Sequence, residues 1–254
     1  MAPLNPLNLE DVCQYVNETI TVFHQHRLAS LSRLNLSQLL HKNPYLFRAK
    51  NITRAAELIE GTMAAFLSSS EEKLFGDFLE DLAIFVAGKT AGGHKSASPG
   101  IDLEFVARGT YYVVSVKSGE HWGNSSQHRR LAQDFREAVI RLRQSRHTGS
   151  VQPTLGICYG KTKSGYHKDG YLKVSGQNFW ALISDNPDLY TDIIEPIGFR
   201  AREHNETYQK DRDRIANLLT KQFIDAYCDP NGVIDWPRVV RASSGNYDLD
   251  KILG

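Results

Sequence analysis

Over the first ninety residues, apolar positions recur at helical spacing. Val12, Val16, Ile20, Phe23 and Leu31 trace one face of an amphipathic helix of about six turns. Asn43-Pro44 interrupts the next segment, and good helix formers resume over 53–66. Ser69-Ser70-Glu71-Glu72 fits a capping box. That box predicts a fresh helix with Leu74, Phe78, Leu82 and Phe85 on its inner face and Gly88 as its stop.

At Ser98-Pro99-Gly100 the period changes to alternation. Ile101, Leu103 and Phe105 point one way, and Asp102, Glu104 and Val106 the other. Arg108-Gly109 is a good two-residue turn, after which 111–117 returns as a strand rich in Val and Tyr. A Gly/Asn/Ser loop over 118–125 precedes a helix with Leu131, Phe135, Ala138 and Leu142 inside, then an apolar strand over 153–159. Strand, helix, strand predicts a crossover joining two parallel strands. A second hairpin, pairing 157–160 with 171–174, is expected next. Gln177-Asn178-Phe179-Trp180 opens a helix, 199–227 holds a long polar one, and Asp235 caps a last short one. The expected fold class is α/β, a small mixed sheet flanked by helices. Its divisions are a helical region over 1–68, a core over 69–198 and a helical region over 199–254.

Composition adds limits rather than a function. The 254 residues are 41% apolar and 23% charged, enough for one domain or one with an appended subdomain. No run approaches the ~18 apolar residues of a membrane span, and Met1 to Pro6 lack the order of a secretory signal. Cys13, Cys158 and Cys228 are far apart and odd in number, which makes a reducing cytoplasm the expectation. The nine histidines offer no HExxH pattern.

The net charge of +1 is not that of a generic polyanion binder, but charge is unevenly placed. Over 121–150, six arginines (Arg129, Arg130, Arg136, Arg141, Arg143, Arg146) face Asp134 and Glu137, a balance of +4. Over 155–175, Lys161, Lys163, Lys168 and Lys173 face Asp169, a balance of +3. Either run alone reads as a solvated face. Two of them flanking a chemically unusual hairpin point to a phosphate backbone.

The hairpin is unusual because of its register. With Arg108 and Gly109 in the turn, Asp102 lies across from Ser115, with Lys117 its diagonal neighbour and Glu104 across from Val113. Asp102, Glu104, Ser115 and Lys117 then share one side of a two-stranded unit. A solvated cross-strand ion pair is the bland explanation. The apolar strands, the gathering of polar residues at one end and the loop directly after them favour chemistry. Asp102 suits Mg²⁺, which takes hard oxygen ligands, and Lys117 suits alignment of an attacking water beside a phosphate. A Ser-Lys hydrolase on Ser115 and Lys117 is disfavoured, because a mid-strand serine lacks the strained elbow and oxyanion donors it needs.

Gly100-Ile101-Asp102 with Ser115-Val116-Lys117 resembles the PD-(D/E)XK nuclease superfamily, Pro99-Gly100-Ile101-Asp102 standing where its PD element lies. Val114 to Gly119, Trp122-Gly123-Asn124-Ser125-Ser126-Gln127, Cys158-Tyr159-Gly160-Lys161 and Gly176 to Trp180 are similar, more narrowly, to PmeII-type type II restriction endonucleases. The resemblance covers 74–199. It implies a restriction-endonuclease-like core, Mg²⁺-dependent hydrolysis of double-stranded DNA at a palindromic site, a homodimer, a prokaryotic cytoplasmic setting and no membrane. The helices at both ends would serve dimerisation and DNA clamping.

One departure matters. The superfamily has an acidic residue two positions before the lysine, and here Ser115 stands there, a weak neutral ligand. Glu80, on the helix the family packs beside the hairpin, is the preferred substitute, with a solvated helix residue as the alternative. Glu104 is the second choice, and the Val116 carbonyl is a further ligand the superfamily fold implies. Ser125 or Ser126 is expected to cap the Arg-rich helix. Trp122, Asn124, Ser125, Ser126, Gln127, Arg129, Arg130, Lys161 and Lys163 are the candidate DNA contacts, with packing under the loop the safer expectation for Trp122. A structure-selective or repair nuclease on the same core, and a catalytically silent DNA-binding module, stay open.

Overall fold

The computed structural model describes residues 4–144 and 149–253, so Arg146 of the basic run lies outside the described residues. In chain order the elements are α1 (Leu9–Ser32), α2 (Leu36–Leu40), α3 (Pro44–Ala49), α4 (Ala55–Ala91), β1 (His94–Lys95), β2 (Leu103–Ala107), β3 (Thr110–Lys117) and α5 (Ser125–Gln144). There follow β4 (Ser150–Ile157), β5 (Gly165–Tyr166), β6 (Leu172–Ser175), α6 (Gln177–Ser184), α7 (Leu189–Asp192), α8 (Ile194–Ile197), α9 (Ala201–Tyr227), α10 (Trp236–Ser244) and α11 (Leu249–Leu253). No helix among the described residues is long and apolar enough to cross a membrane. All three cysteines are free thiols.

Two compact units divide these elements. One holds the described residues up to Phe23 together with Leu74–Phe199, and the other holds His24–Lys73 and the described residues from Arg200 onward. The first unit is built on a six-stranded sheet of order β1-β2-β3-β4-β6-β5. β1, β2 and β3 are antiparallel, β3, β4 and β6 are parallel, and β5 closes the edge antiparallel to β6. Alternation along the strands splits the core in two. Leu103, Phe105, Val114 and Val116 pack with Val12, Val16, Phe78, Leu82, Val86 and Phe179 on one face. Ile101, Val113, Leu155 and Ile157 meet Leu131, Phe135 and Ala138 of α5 on the other. Ile101 thus faces away from Leu103 and Phe105, contrary to the alternation expected from the sequence, because it lies beyond the paired part of β2. The β3-α5-β4 crossover is therefore the predicted parallel one.

The structure also corrects two expectations about element boundaries and strand pairing. The capping box at Ser69 is absent: α4 runs unbroken for 37 residues and stops at Ala91 rather than Gly88. Its apolar stripe continues at helical spacing through Leu58, Ile59, Met63, Leu67, Phe78, Leu82 and Val86, so each half has a core to enter. The Ser69 hydroxyl donates to the Ala65 carbonyl at 3.1 Å and needs no cap role. The second hairpin is also absent. β6 runs parallel to β4, and the segment between them is long enough to turn back and lay down β5 as the antiparallel partner. Asp235 does cap α10, accepting from the Arg238 amide at 3.0 Å, though α11 comes after it.

Among the described residues, the named elements of the second unit are helices, with an isolated antiparallel bridge between Cys228 and Ile234. Leu31, Leu39, Phe47, Ile59, Met63, Leu219 and Phe223 form its centre. On its α1 segment the His24 ring stacks on His204 at 4.4 Å. Burial, then the neighbouring His204 and Arg27, lower the His24 pKa to about 4, against a smaller opposing pull from Glu71. The unfolded chain binds that proton near pH 6.5, so stability is full above 6.5 and is lost as pH falls towards 4. After allowance for solvent screening, His24→Gln should remove ~1–2 kcal/mol of that loss. Urea midpoints at pH 7 and pH 5 measure it, and an unchanged slope in the variant refutes the assignment to His24.

Candidate active site

The site begins at the turn. Arg108 and Gly109 both take positive φ, 52° and 77°, the backbone that a two-residue hairpin turn of right-handed twist requires. Ala107 then pairs with Thr110 and Leu103 with Val114, the predicted register. The pairing ends there: the Asp102 amide donates to the Val114 carbonyl at 2.9 Å, one residue off the register, so the strand bulges at Asp102 instead of setting it directly across from Ser115. Past that rung the chain swings away through Pro99-Gly100, and the backbone supplies no acceptor for the Val116 N–H. The Asp102 carboxylate takes its place, with Oδ2 accepting from Val116 N at 2.6 Å, Ser115 Oγ at 3.2 Å and Lys117 Nζ at 3.4 Å. Lys117 Nζ also donates to the Val116 carbonyl at 2.7 Å. The structure thus brings together Asp102, Ser115, Val116 and Lys117.

Gly100 makes the swing possible. Its φ is +74°, and a Cβ there would lie 2.7 Å from Cγ of Asp134 on α5 and overlap that carboxylate. Asp134 is buried and held by Arg130 Nε at 3.1 Å, so it has little room to yield. Gly100→Ala is expected to cost ~2–4 kcal/mol of stability. A urea midpoint within error of the unmodified protein would refute this account of the turn.

Glu80 projects from α4 into the same field. Burial raises its pKa first, and the Asp102 charge raises it further, while Lys95 and Lys117 pull it down. Lys95 Nζ lies 3.3 Å from Glu80 Oε1. Glu104, paired with Val113, lies on the strand face of Ser115 and Lys117, but its two oxygens accept from the hydroxyls of Ser96 and Tyr111. The Cys158 thiol is buried, which pushes its pKa well up, so it is no nucleophile. Among the described residues, no three His, Cys, Asp or Glu side chains converge on one point. The oxygen donors on hand are the carboxylates of Asp102 and Glu80 and the Val116 carbonyl.

The surrounding loops gather at the carboxyl ends of the parallel strands, where open α/β sheets place their ligands. Asn124, rather than Ser125 or Ser126, caps α5. Its Oδ1 accepts from the amides of Ser126 and Gln127 at 3.1 Å each, and Gln127 Oε1 accepts the Asn124 amide at 2.8 Å. The amide side chain at the N-cap outcompetes the serines because Gln127 closes a reciprocal box; Ser126 Oγ merely donates to Asn124 at 2.6 Å. Trp122 packs against the α5-side core, with its ring 5.8 Å from Lys117 Nζ, which agrees with the packing expectation. Arg129, Lys161 and Lys163 are exposed. Gly176 N donates to the Ile157 carbonyl and Trp180 Nε1 to the Cys158 carbonyl, each at 2.9 Å, so the two downstream motifs meet in space.

Sequence reasoning missed three members of this region. Lys95 and Ser96 belong to the strap around β1, which is two residues long and carries no periodic signal. The Glu120 carboxylate accepts from the Thr162 amide at 3.0 Å and from its hydroxyl, and those bonds lower its pKa. That link ties the loop after β3 to the loop bearing Lys161 and Lys163.

Comparison with curated proteins returns no match. A family model described as Type II restriction endonuclease EcoO109I matches residues 10–205, from the start of α1 into α9. That match spans more than three quarters of the chain and takes in the whole sheet and the hairpin bearing Asp102 and Lys117. The chain belongs to the type II restriction endonuclease EcoO109I family.

Proposed function

We propose that the chain cuts double-stranded DNA at a specific palindromic sequence, using Mg²⁺ on a PD-(D/E)XK-type centre. The observation that carries this reading is the convergence of Val116 N–H, Ser115 Oγ and Lys117 Nζ on one oxygen of Asp102. A carboxylate fixed so tightly presents its other oxygen in one direction, as a ligand or a water-orienting group must. Asp102, Glu80 and the Val116 carbonyl form an all-oxygen donor set of the kind Mg²⁺ prefers, with few protein carboxylates. When bound, the metal would act as a Lewis acid for phosphate oxygen and acidify water. Lys117 holds positive charge where the phosphate gains negative charge, and orients the attacking water.

Glu80 rather than Glu104 is the second carboxylate in this reading. Glu80 is coupled electrostatically to Asp102 and Lys117, whereas both Glu104 oxygens are already taken. Ser115 supports Asp102 instead of supplying a charge. Arg129, Lys161 and Lys163 contact the phosphate backbone. Asn124 and Gln127 would have to release their mutual cap to read bases, so their reading role carries a cost of about 1 kcal/mol. Two copies form a homodimer, because two-fold subunits match symmetric half-sites.

Incubating the purified protein with phage DNA and Mg²⁺ tests the reading. Discrete bands are the expected result. A smear replaces sequence-specific cutting by repair-type cutting, and intact DNA retarded on a gel replaces it by binding alone.

A further inference from the structure

Glu104 is a buried carboxylate, 8% exposed, that the proposed chemistry does not use. Burial of a charge costs free energy unless its oxygens are hydrogen-bonded. Both are: Ser96 Oγ donates to one and the Tyr111 hydroxyl to the other. Ser96 is the informative partner. Its hydroxyl accepts from the Ser98 amide at 2.9 Å, and its own amide donates to the Asp102 carbonyl at 3.2 Å. The Ile101 amide then closes the turn on the Ser98 carbonyl at 3.1 Å. Asp102 is thereby gripped from both edges, by Ser96 on one side and by the Val114 carbonyl on the other.

We propose that Glu104 is a positioning residue for the reaction, acting through Ser96 to set the place of the Asp102 carboxylate. The chain of bonds starts on Glu104 and ends on the 96–102 segment, so what it organises is the turn that aims Asp102. Its kinetic consequence rests on the nuclease reading; its structural consequence does not. Asp102 Oδ2 is the acceptor of the Val116 amide at 2.6 Å, so exchange of that amide reports the carboxylate's position without any reference to activity.

The test uses the full chain with Ser96→Ala, Ser96→Thr, Glu104→Gln and Tyr111→Phe, each checked for an intact thermal transition. Amide hydrogen exchange at Val116, with Val113 as the internal control, is measured beside single-turnover DNA cleavage and DNA Kd. In Ser96→Ala and Glu104→Gln, Val116 should exchange roughly tenfold faster while Val113 is unchanged. Cleavage should fall roughly 10–100-fold at unchanged Kd, as expected for a misplaced reacting group. Ser96→Thr, which keeps the hydroxyl, should restore both. Should Ser96→Ala fail to fold, Tyr111→Phe removes the other Glu104 donor and should give the same pattern at smaller amplitude. Unchanged Val116 exchange in all variants overturns the proposal. So does a Glu104→Gln variant that loses cleavage as fully as Asp102→Ala with Val116 still protected, because Glu104 would then touch the reacting groups. If the unmodified protein leaves DNA intact but Val116 responds as stated, the positioning role stands and the nuclease reading falls.

Discussion

Asp102→Ala is expected to lose DNA cleavage by about 10³-fold or more while keeping its affinity for DNA. Three donors converge on this one carboxylate, and the basic residues proposed to meet the phosphates lie elsewhere, on α5 and on the loop after β4. The substitution also strands the Val116 N–H and the Ser115 hydroxyl without their acceptor, at a cost of ~1–3 kcal/mol. Activity must therefore be compared well below the melting transition. Asp102→Asn separates the two effects. Its amide oxygen still accepts a hydrogen bond and should recover most of the stability, yet it brings no charge and should cut no better than the alanine variant. A gel-shift titration beside a cleavage time course measures both. Undiminished cutting by Asp102→Ala would remove the hairpin from the chemistry altogether.

How much of this centre was readable beforehand depended on the range of the forces involved. The hairpin register was legible because Arg108-Gly109 is a local signal, and a two-residue turn leaves the pairing no freedom. Once register is known, period-two geometry sets Ser115 and Lys117 on one face, and Asp102, just past the end of β2, joins them through its side-chain hydrogen bonds. Glu104 lies on the same face by the same geometry, yet its destination was not legible. Which hydroxyl a buried carboxylate meets depends on Ser96, which follows a two-residue strand with no pattern of its own. The break expected at Ser69 failed for a related reason. Ser-Ser-Glu-Glu is equally compatible with a cap and with a solvated helix interior, and only the tertiary burial of both halves of α4 decides between them. The parallel setting of β6 likewise depends on where β5 finds an edge, a long-range choice. The family match runs over 10–205, taking in α1 to α4, where the sequence offers helical periodicity but none of the short motifs found over 74–199.

Lys117→Met should lower cleavage by about 10²–10³-fold, but with the opposite metal response to the Asp102 variants. In the structure Lys117 Nζ donates to the Val116 carbonyl at 2.7 Å and lies 3.4 Å from Asp102 Oδ2, beside the carbonyl and the carboxylate proposed to hold the metal. A cation in that position competes electrostatically with Mg²⁺ for the same carboxylate and carbonyl groups. Removing it should leave Mg²⁺ binding intact or move it to lower concentration, while the rate at saturating metal stays low. Asp102→Asn should instead lose the metal response itself. Melting temperature against Mg²⁺ concentration reads binding without turnover, since a ligand of the folded state stabilises it in proportion to its affinity. Arginine should not substitute for the lysine. Its planar guanidinium spreads the charge over three nitrogens and cannot place a point charge at once on the Val116 carbonyl and the Asp102 carboxylate as the ammonium does. Wild-type cutting rates in Lys117→Met, or a Mg²⁺ response weakened as far as in Asp102→Asn, would show that Lys117 is part of the metal scaffold or of the fold, and not the charge that faces the phosphate.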